Sequence, residues 1–319
     1  MPQTLSQLSV LLVYSAMGVY TIAFIAYAYD FARRFASKTG AAKDSHRDAD
    51  AGTGGAQSTA KKSPSRSLAL RSGFSLTVLG FLLEAVATIF RGIAAGRVPW
   101  ANMWEFSLTG TTIIIGVFLL VNIRFNVRYV GVFVTGLVVI LLGIAAVRYY
   151  VDVVPLPPAL QSYWLVIHVL VALTATAFFA LGFALSVMQL FQARREMAAG
   201  ASVGSDRRKV RPLALPRSEA LENGAYRVTI VGFILWTFTL IAGAIWAEKA
   251  WGRYWGWDTK EVWTFIIWVI YAGYIHARST RGWRGSRSAW LAIIGFSAVL
   301  FNFGVVNVFF KGLHSYSGL

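Results

Sequence analysis

The chain contains no cysteine. That excludes a disulfide framework, thiol chemistry by this chain and thiolate ligation of a metal, and it is silent on redox compartment. Acidic residues are scarce: 14 Asp and Glu stand against 30 Lys and Arg, for a net charge of +16. Histidines number only four, so a metal site built from imidazole has few donors to draw on. Period-two alternation is also missing, which argues against membrane β-strands. The apolar residues instead form continuous blocks of about twenty, the length that crosses a ~30 Å hydrocarbon core. They make up 56% of the chain, with a mean hydropathy of +0.57, against roughly 45–50% in soluble proteins. The implied fold class is an all-α polytopic membrane protein whose core is the packing between its helices.

Eight spans are expected, near 8–29, 72–90, 106–123, 129–147, 160–191, 228–247, 262–277 and 289–310. The first begins almost at once without a basic leader, so it reads as a membrane helix and not a cleavable signal peptide. Residues 1–71 hold that helix and a polar loop. The loop's 41–58 segment is rich in Gly, Ser and charge and reads as disordered, and His46 within it is expected to have no role. Residues 72–319 form the second unit. Of the 30 basic residues, 23 fall in the loops after spans one, three, five and seven. One such loop carries the Arg207–Arg211 tract. The positive charge therefore reads as topology and not nucleic-acid binding, and it places both termini and the 251–263 segment outside the cytoplasm. Glu84 lies mid-span, where an ionisable group is expected to face the bundle interior. The 91–105 stretch reads as a polar loop, and Pro155, Pro157 and Pro158 end any helix before span five.

The most unusual stretch is Trp-Gly-Arg-Tyr-Trp-Gly-Trp-Asp-Thr-Lys-Glu-Val-Trp at 251–263. Two readings fit it: an interfacial aromatic belt, or a platform for a flat ligand. His168 and His314 fall on the same side of the membrane as this stretch, and His276 near the other. Two neutral imidazoles from different helices suit axial ligation of one iron in a planar macrocycle. Trp251, Trp255 and Trp257 would supply aromatic faces and edges, and Gly252 and Gly256 would permit close approach. Asp258, Lys260 and Glu261 would bond propionates or orient an imidazole through its second nitrogen. A zinc centre needs three or four converging donors, and only two histidines share this side. A b-type electron-transfer subunit needs histidines paired at matched depth. A small-solute transporter would show inverted repeats and broken helices, which the sequence lacks.

Residues 251–258 resemble the Trp-rich "WWD" signature of haem-handling membrane proteins. The segment Leu-Gln-Ser-Tyr-Trp-Leu-Val-Ile-His ending at His168 resembles an external histidine motif of the CcsA/ResC branch. Leu313-His314-Ser315-Tyr316 resembles the second such motif, and His276-Ala-Arg278 the branch's intramembrane histidine. Asn102-Met-Trp-Glu105 resembles a further family segment. The resemblance runs from about residue 72 to 319. It implies system II maturation of c-type cytochromes in the plasma membrane, with the site on the extracytoplasmic face. By it, haem b is exported across the membrane and presented for covalent attachment to Cys-x-x-Cys-His apocytochromes, as part of a cytochrome c synthetase. His168 and His314 would be axial ligands at the outer site. The tryptophan stretch with Asp258 would bind the haem there. His276 would ligate a haem within the membrane. No second deep histidine is present, so the resemblance implies a ResB/CcsB-type partner subunit, with thiol-reducing proteins nearby.

Overall fold

The computed structural model describes residues 2–36, 68–156, 160–201, 215–280, 282–310 and 312–314. His46, the 41–58 segment, the Arg207–Arg211 tract, Pro157, Pro158, Ser315 and Tyr316 lie outside the described residues.

Among the described residues eight long helices follow in order: α1 (Pro2–Ala36), α2 (Leu68–Ala95), α3 (Met103–Arg124), α4 (Gly131–Arg148), α5 (Tyr163–Ala201), α6 (Ser218–Trp251), α7 (Thr259–Ser279) and α8 (Ser286–Phe301). The described residues contain no strand. Seven of the helices are long and apolar enough to cross a membrane. The remaining one, α7, opens on Thr-Lys-Glu and closes on His-Ala-Arg, which dilutes its apolar run. It nonetheless packs between α6 and α8. The protein is an all-α, multi-pass membrane protein.

Helix α5 is central, lying against α3, α6 and α8, while α1 runs along α2 and α4. The helices alternate in direction, so one end of the bundle gathers the 251–258 segment, the start of α5 and His314. This is the site end. The opposite end gathers Arg34, Arg124, Arg128, Arg195 and Arg278. There α5 and α6 run past the expected boundaries, to 39 and 34 residues, about 58 and 51 Å at 1.5 Å per residue. Polar side chains explain the extension. Glu196 accepts the backbone N–H of Ser218 at 3.0 Å and its hydroxyl as well, which ties the first turn of α6 to α5. Arg195 donates to the carbonyl of Arg34 at 3.0 Å.

Inside the bundle Glu84 is fully buried, as expected for an intramembrane carboxyl. Tyr20 of α1 and Thr111 of α3 donate to its two oxygens at 2.7 and 2.6 Å, so the group joins three helices. The 91–105 stretch differs from its reading as a loop. Arg91 continues α2 and is fully buried, because Glu105 in the first turn of α3 receives its Nε at 3.1 Å. Arg97 bonds the same carboxylate at 2.6 Å. Only the turn between them is irregular. An ion pair across a short connection allows charges that look like loop residues to be drawn into the protein.

Candidate functional site

His168 sits two turns into α5, and its Nδ1 lies 3.0 Å from the carbonyl oxygen of Thr239 on α6. A carbonyl only accepts, so the ring proton is assigned to Nδ1 and the Nε2 lone pair is available to a metal. One turn beyond Thr239 is Gly243. A Cβ there would stand 2.7 Å from Cε1 of the imidazole, so the glycine makes the space in which the ring lies. The ring stacks on Trp246, with centroids 5.8 Å apart and planes 17° from parallel.

His314 follows the last helical turn of the chain's described residues. Its Nδ1 lies 2.6 Å from Oδ2 of Asp258, which again leaves Nε2 for ligation. Asp258 is itself held by the helix it starts. It is the N-cap of α7: its Oδ1 accepts from Thr259 N at 2.9 Å, and Glu261 reaches back to Asp258 N at 3.0 Å in a capping box. The hydrogen bond from His314 is the main reason that the Asp258 carboxyl titrates below its usual range. Its folded value is depressed, so the contact is kept through the ordinary carboxylate titration range and is lost only as pH falls through the lower folded value.

Trp246 joins the two histidines. His314 meets it edge-on at 5.5 Å and meets Trp251 at 4.8 Å, and the two indoles are 4.8 Å apart. Both imidazoles open onto a cavity of about 1310 Å³, measured out to its open mouth, between α3, α5, α6, α7 and the end of α8. Its walls are mainly apolar and aromatic, including Trp100, Phe106, Trp236 and Trp246. Its polar groups are few: the two histidines, Asn102, Lys260, Asn302, Asn307 and scattered hydroxyls. Two imidazoles with free Nε2 in a mainly apolar, aromatic cavity fit a flat iron macrocycle. Zinc fits less well, since no group of three His, Cys, Asp or Glu converges among the described residues.

The structure separates the other expected site residues. Trp251 packs on His314, whereas Trp255 and Trp257 meet each other edge-on at 5.9 Å outside the cavity lining. Trp257 is 72% exposed with φ at +59°, uncommon for a non-glycine residue. Gly252 has a reason within the backbone. It caps α6 in the left-handed conformation, φ +70°, with its N–H on Glu248 O at 2.8 Å. His276 is exposed near the end of α7, at the opposite end of the bundle. Asn102 caps α3 by accepting from Glu105 N at 2.9 Å. Trp246 was missed, because one tryptophan in an apolar run reads as packing. Only its contact with both histidines marks it.

Residues 100–314 match the family described as cytochrome C assembly protein. The chain is 37% identical to the cytochrome c biogenesis protein CcsA of a Prochlorococcus marinus strain over 262 residues, 74% of this chain and 80% of that protein. The chain belongs to the cytochrome c assembly protein family. Its role is therefore in c-type cytochrome biogenesis. The CcsA of Guillardia theta is 31% identical over 264 residues, covering 77% of this chain and 86% of that one. Among solved structures, the cytochrome c haem lyase CcmF superposes with a TM-score of 0.61 at 16% identity, over 94% of this chain. That likeness is one of fold. This cytochrome c assembly protein spans 46% of the CcmF chain.

Gly243 gives the first test. Gly243→Ala is expected to leave the helices in place, since alanine favours helix, and to push the His168 ring off its position. For a haem ligated through His168, absorption should shift from the bis-imidazole form while helical circular dichroism is unchanged. An unaltered spectrum would show that the ring is not held by that contact.

Proposed function

We propose that the cavity binds haem b and that His168 and His314 ligate its iron through Nε2 on opposite faces. The observation that carries this reading is the matched pair of imidazoles, each with Nδ1 committed to a fixed acceptor and each opening onto one aromatic cavity. In this reading Trp246 and Trp251 hold the imidazoles at their angles, and Asp258 fixes the rotation of His314. The exposed Trp257, with the half-buried Trp255 against it, offers a surface to an apocytochrome carrying Cys-x-x-Cys-His. When bound, haem supplies the vinyl groups across which the two client thiols add, forming two C–S bonds without net change of oxidation state. The chain's contribution is placement and exclusion of water, worth several kcal/mol of a barrier, and no side chain here acts as a nucleophile.

The site end faces away from the cytoplasm in this reading, as the arginines at the opposite end support. His276, exposed at that opposite end, takes a haem arriving from the cytoplasmic side, with a second ligand from a ResB-like subunit. The two sites then mark the start and finish of export. Thiol-reducing proteins keep the client cysteines free.

Absorbance of the purified chain tests the core of this reading. A low-spin b-type spectrum that weakens in His168→Ala or His314→Ala is expected. A folded protein that stays colourless when given haem would overturn it.

A further inference from the structure

Of the charged groups that start α7, only one lines the large cavity. Asp258 is committed to His314 and to its own helix cap. The Glu261 carboxylate receives the N–H groups of Gly256 and Asp258 at 2.8 and 3.0 Å. Lys260 lies between them in sequence and lines the cavity. Its Nζ donates to the carbonyl of Asn302 at 2.9 Å and to Oδ1 of Asn307 at 2.8 Å. An ammonium carries three donors, and the third has no acceptor among the described residues. No carboxylate among them stands within ion-pair distance of it.

The ammonium meets an irregular turn. Helix α8 changes to a π-helical turn over Asn302–Val306, a distortion often kept at functional sites, and Lys260 bonds the carbonyl at its start. Asn307, on the far side of that turn, reaches Met103 Sδ through Nδ2 at 3.4 Å. The residue before Met103 is Asn102, which also lines the cavity. Its Oδ1 serves the α3 cap, but its Nδ2 is buried with no hydrogen-bond partner. An amine that burial pushes down to about 7 and that the Asp258 carboxylate favours as ammonium without forming an ion pair, and an amide donor without an acceptor, therefore border one apolar cavity. Each costs free energy unless an anionic acceptor arrives.

We propose that Lys260 and Asn102 form a carboxylate-binding wall, which receives the propionates of the haem held by His168 and His314. The inference rests on the haem-binding reading above and adds the orientation of the macrocycle. Propionates drawn to this wall turn the opposite, vinyl-bearing edge away from it. The iron ligands alone leave the macrocycle free to rotate about the Nε2–Fe–Nε2 axis, and a carboxylate anchor removes that freedom. Lys260 and Asn102 are thus binding residues that determine which edge of the substrate is presented.

Iron protoporphyrin IX and its dimethyl ester separate the two claims, because they share iron, ring and vinyl groups and differ in the carboxylates. Each would be titrated into the purified full-length chain. The wild type should bind the diacid more tightly by about tenfold or more, as expected for hydrogen bonds to a charged group. Lys260→Met should bring the ratio towards one while leaving diester affinity within about twofold. Lys260→Arg should keep the preference. Asn102→Asp retains an oxygen for the α3 cap and sets a negative charge on the wall, so it should also lose the preference. A wild type that binds both alike, or a Lys260→Met protein with the wild-type ratio, overturns the proposal. Should Lys260→Met bind neither probe, Lys260→Gln and Asn102→Asp carry the comparison, and a wild-type ratio in both overturns it. A diester complex of the wild type without bis-imidazole absorption would defeat the histidine reading itself. An unchanged ratio with that absorption intact defeats only the carboxylate wall.

Discussion

Replacing His168 with alanine should reduce holocytochrome formation by about a hundredfold or more, and millimolar imidazole should restore much of it. The magnitude follows from precedent one shell out: groups that merely orient a metal ligand are worth 10–100-fold, and His168 is argued to be the ligand. Rescue follows from the structure around it. The ring lies in a slot floored by Gly243 and walled by Trp246, so its removal leaves a space of imidazole shape, with the Thr239 carbonyl in place to bind an N–H. His314→Ala should behave alike, with the Asp258 carboxylate left in place to accept an N–H. The control is His276→Ala. That residue is at the other end of the bundle, so absorption of the haem at the site end should not change, although delivery of haem falls. Holocytochrome would be scored with a Cys-x-x-Cys-His reporter and a ResB-like partner co-expressed, alongside spectra of the purified chain. A His168→Ala strain with undiminished output would remove the residue from the site. Equal spectral loss in His276→Ala would collapse the distinction between two haem positions.

The sequence carried the architecture well because lipid imposes a simple rule: each span must be long, apolar and internally hydrogen-bonded. Every expected span contains a helix of the structure, and Glu84 faces inward as its cost demands. The same rule fails at helix ends. Arg91 and Glu105 are polar enough to read as loop, and only their pairing, invisible to a scan of single positions, draws them inside. At the site, the roles of side chains were less legible than their identity. Asp258 could have met a propionate or an imidazole; the α7 capping box and His314 decide for the imidazole. Lys260 had the same two options, and the π-helical turn in α8 sets it at the cavity instead. Trp246 had no sequence signal, since its importance comes from two histidines 78 residues before and 68 after it.

The Arg91–Glu105 pair supports the second large effect. Both side chains are fully buried. Glu105 also receives Arg97 Nη1 at 2.6 Å and the N–H of Ala101 at 3.0 Å. Arg91 adds the carbonyl of Val151 at 2.8 Å and Ser6 Oγ at 3.4 Å. One carboxylate thus binds α2, the turn before α3 and, through Arg91, the start of α1 and the segment after α4. Glu105→Gln keeps the shape and removes the charge, leaving a buried guanidinium without its counter-ion. Such a break costs about 3–5 kcal/mol, a large share of the ~5–15 kcal/mol that holds a protein folded. The expected result is a sharp fall in the thermal midpoint of the detergent-solubilised protein and in its accumulation in the membrane. Arg91→Met combined with Glu105→Leu should be more stable than Glu105→Gln alone, since it deletes both charges together. A Glu105→Gln protein that melts like the wild type would mean that water reaches Arg91. Asn102, which caps α3 against Glu105 N, lies on the cavity wall, so haem binding should fall with this fold. Imidazole, which restores a missing ligand, should then restore nothing, and that separates a collapsed wall from a lost axial bond.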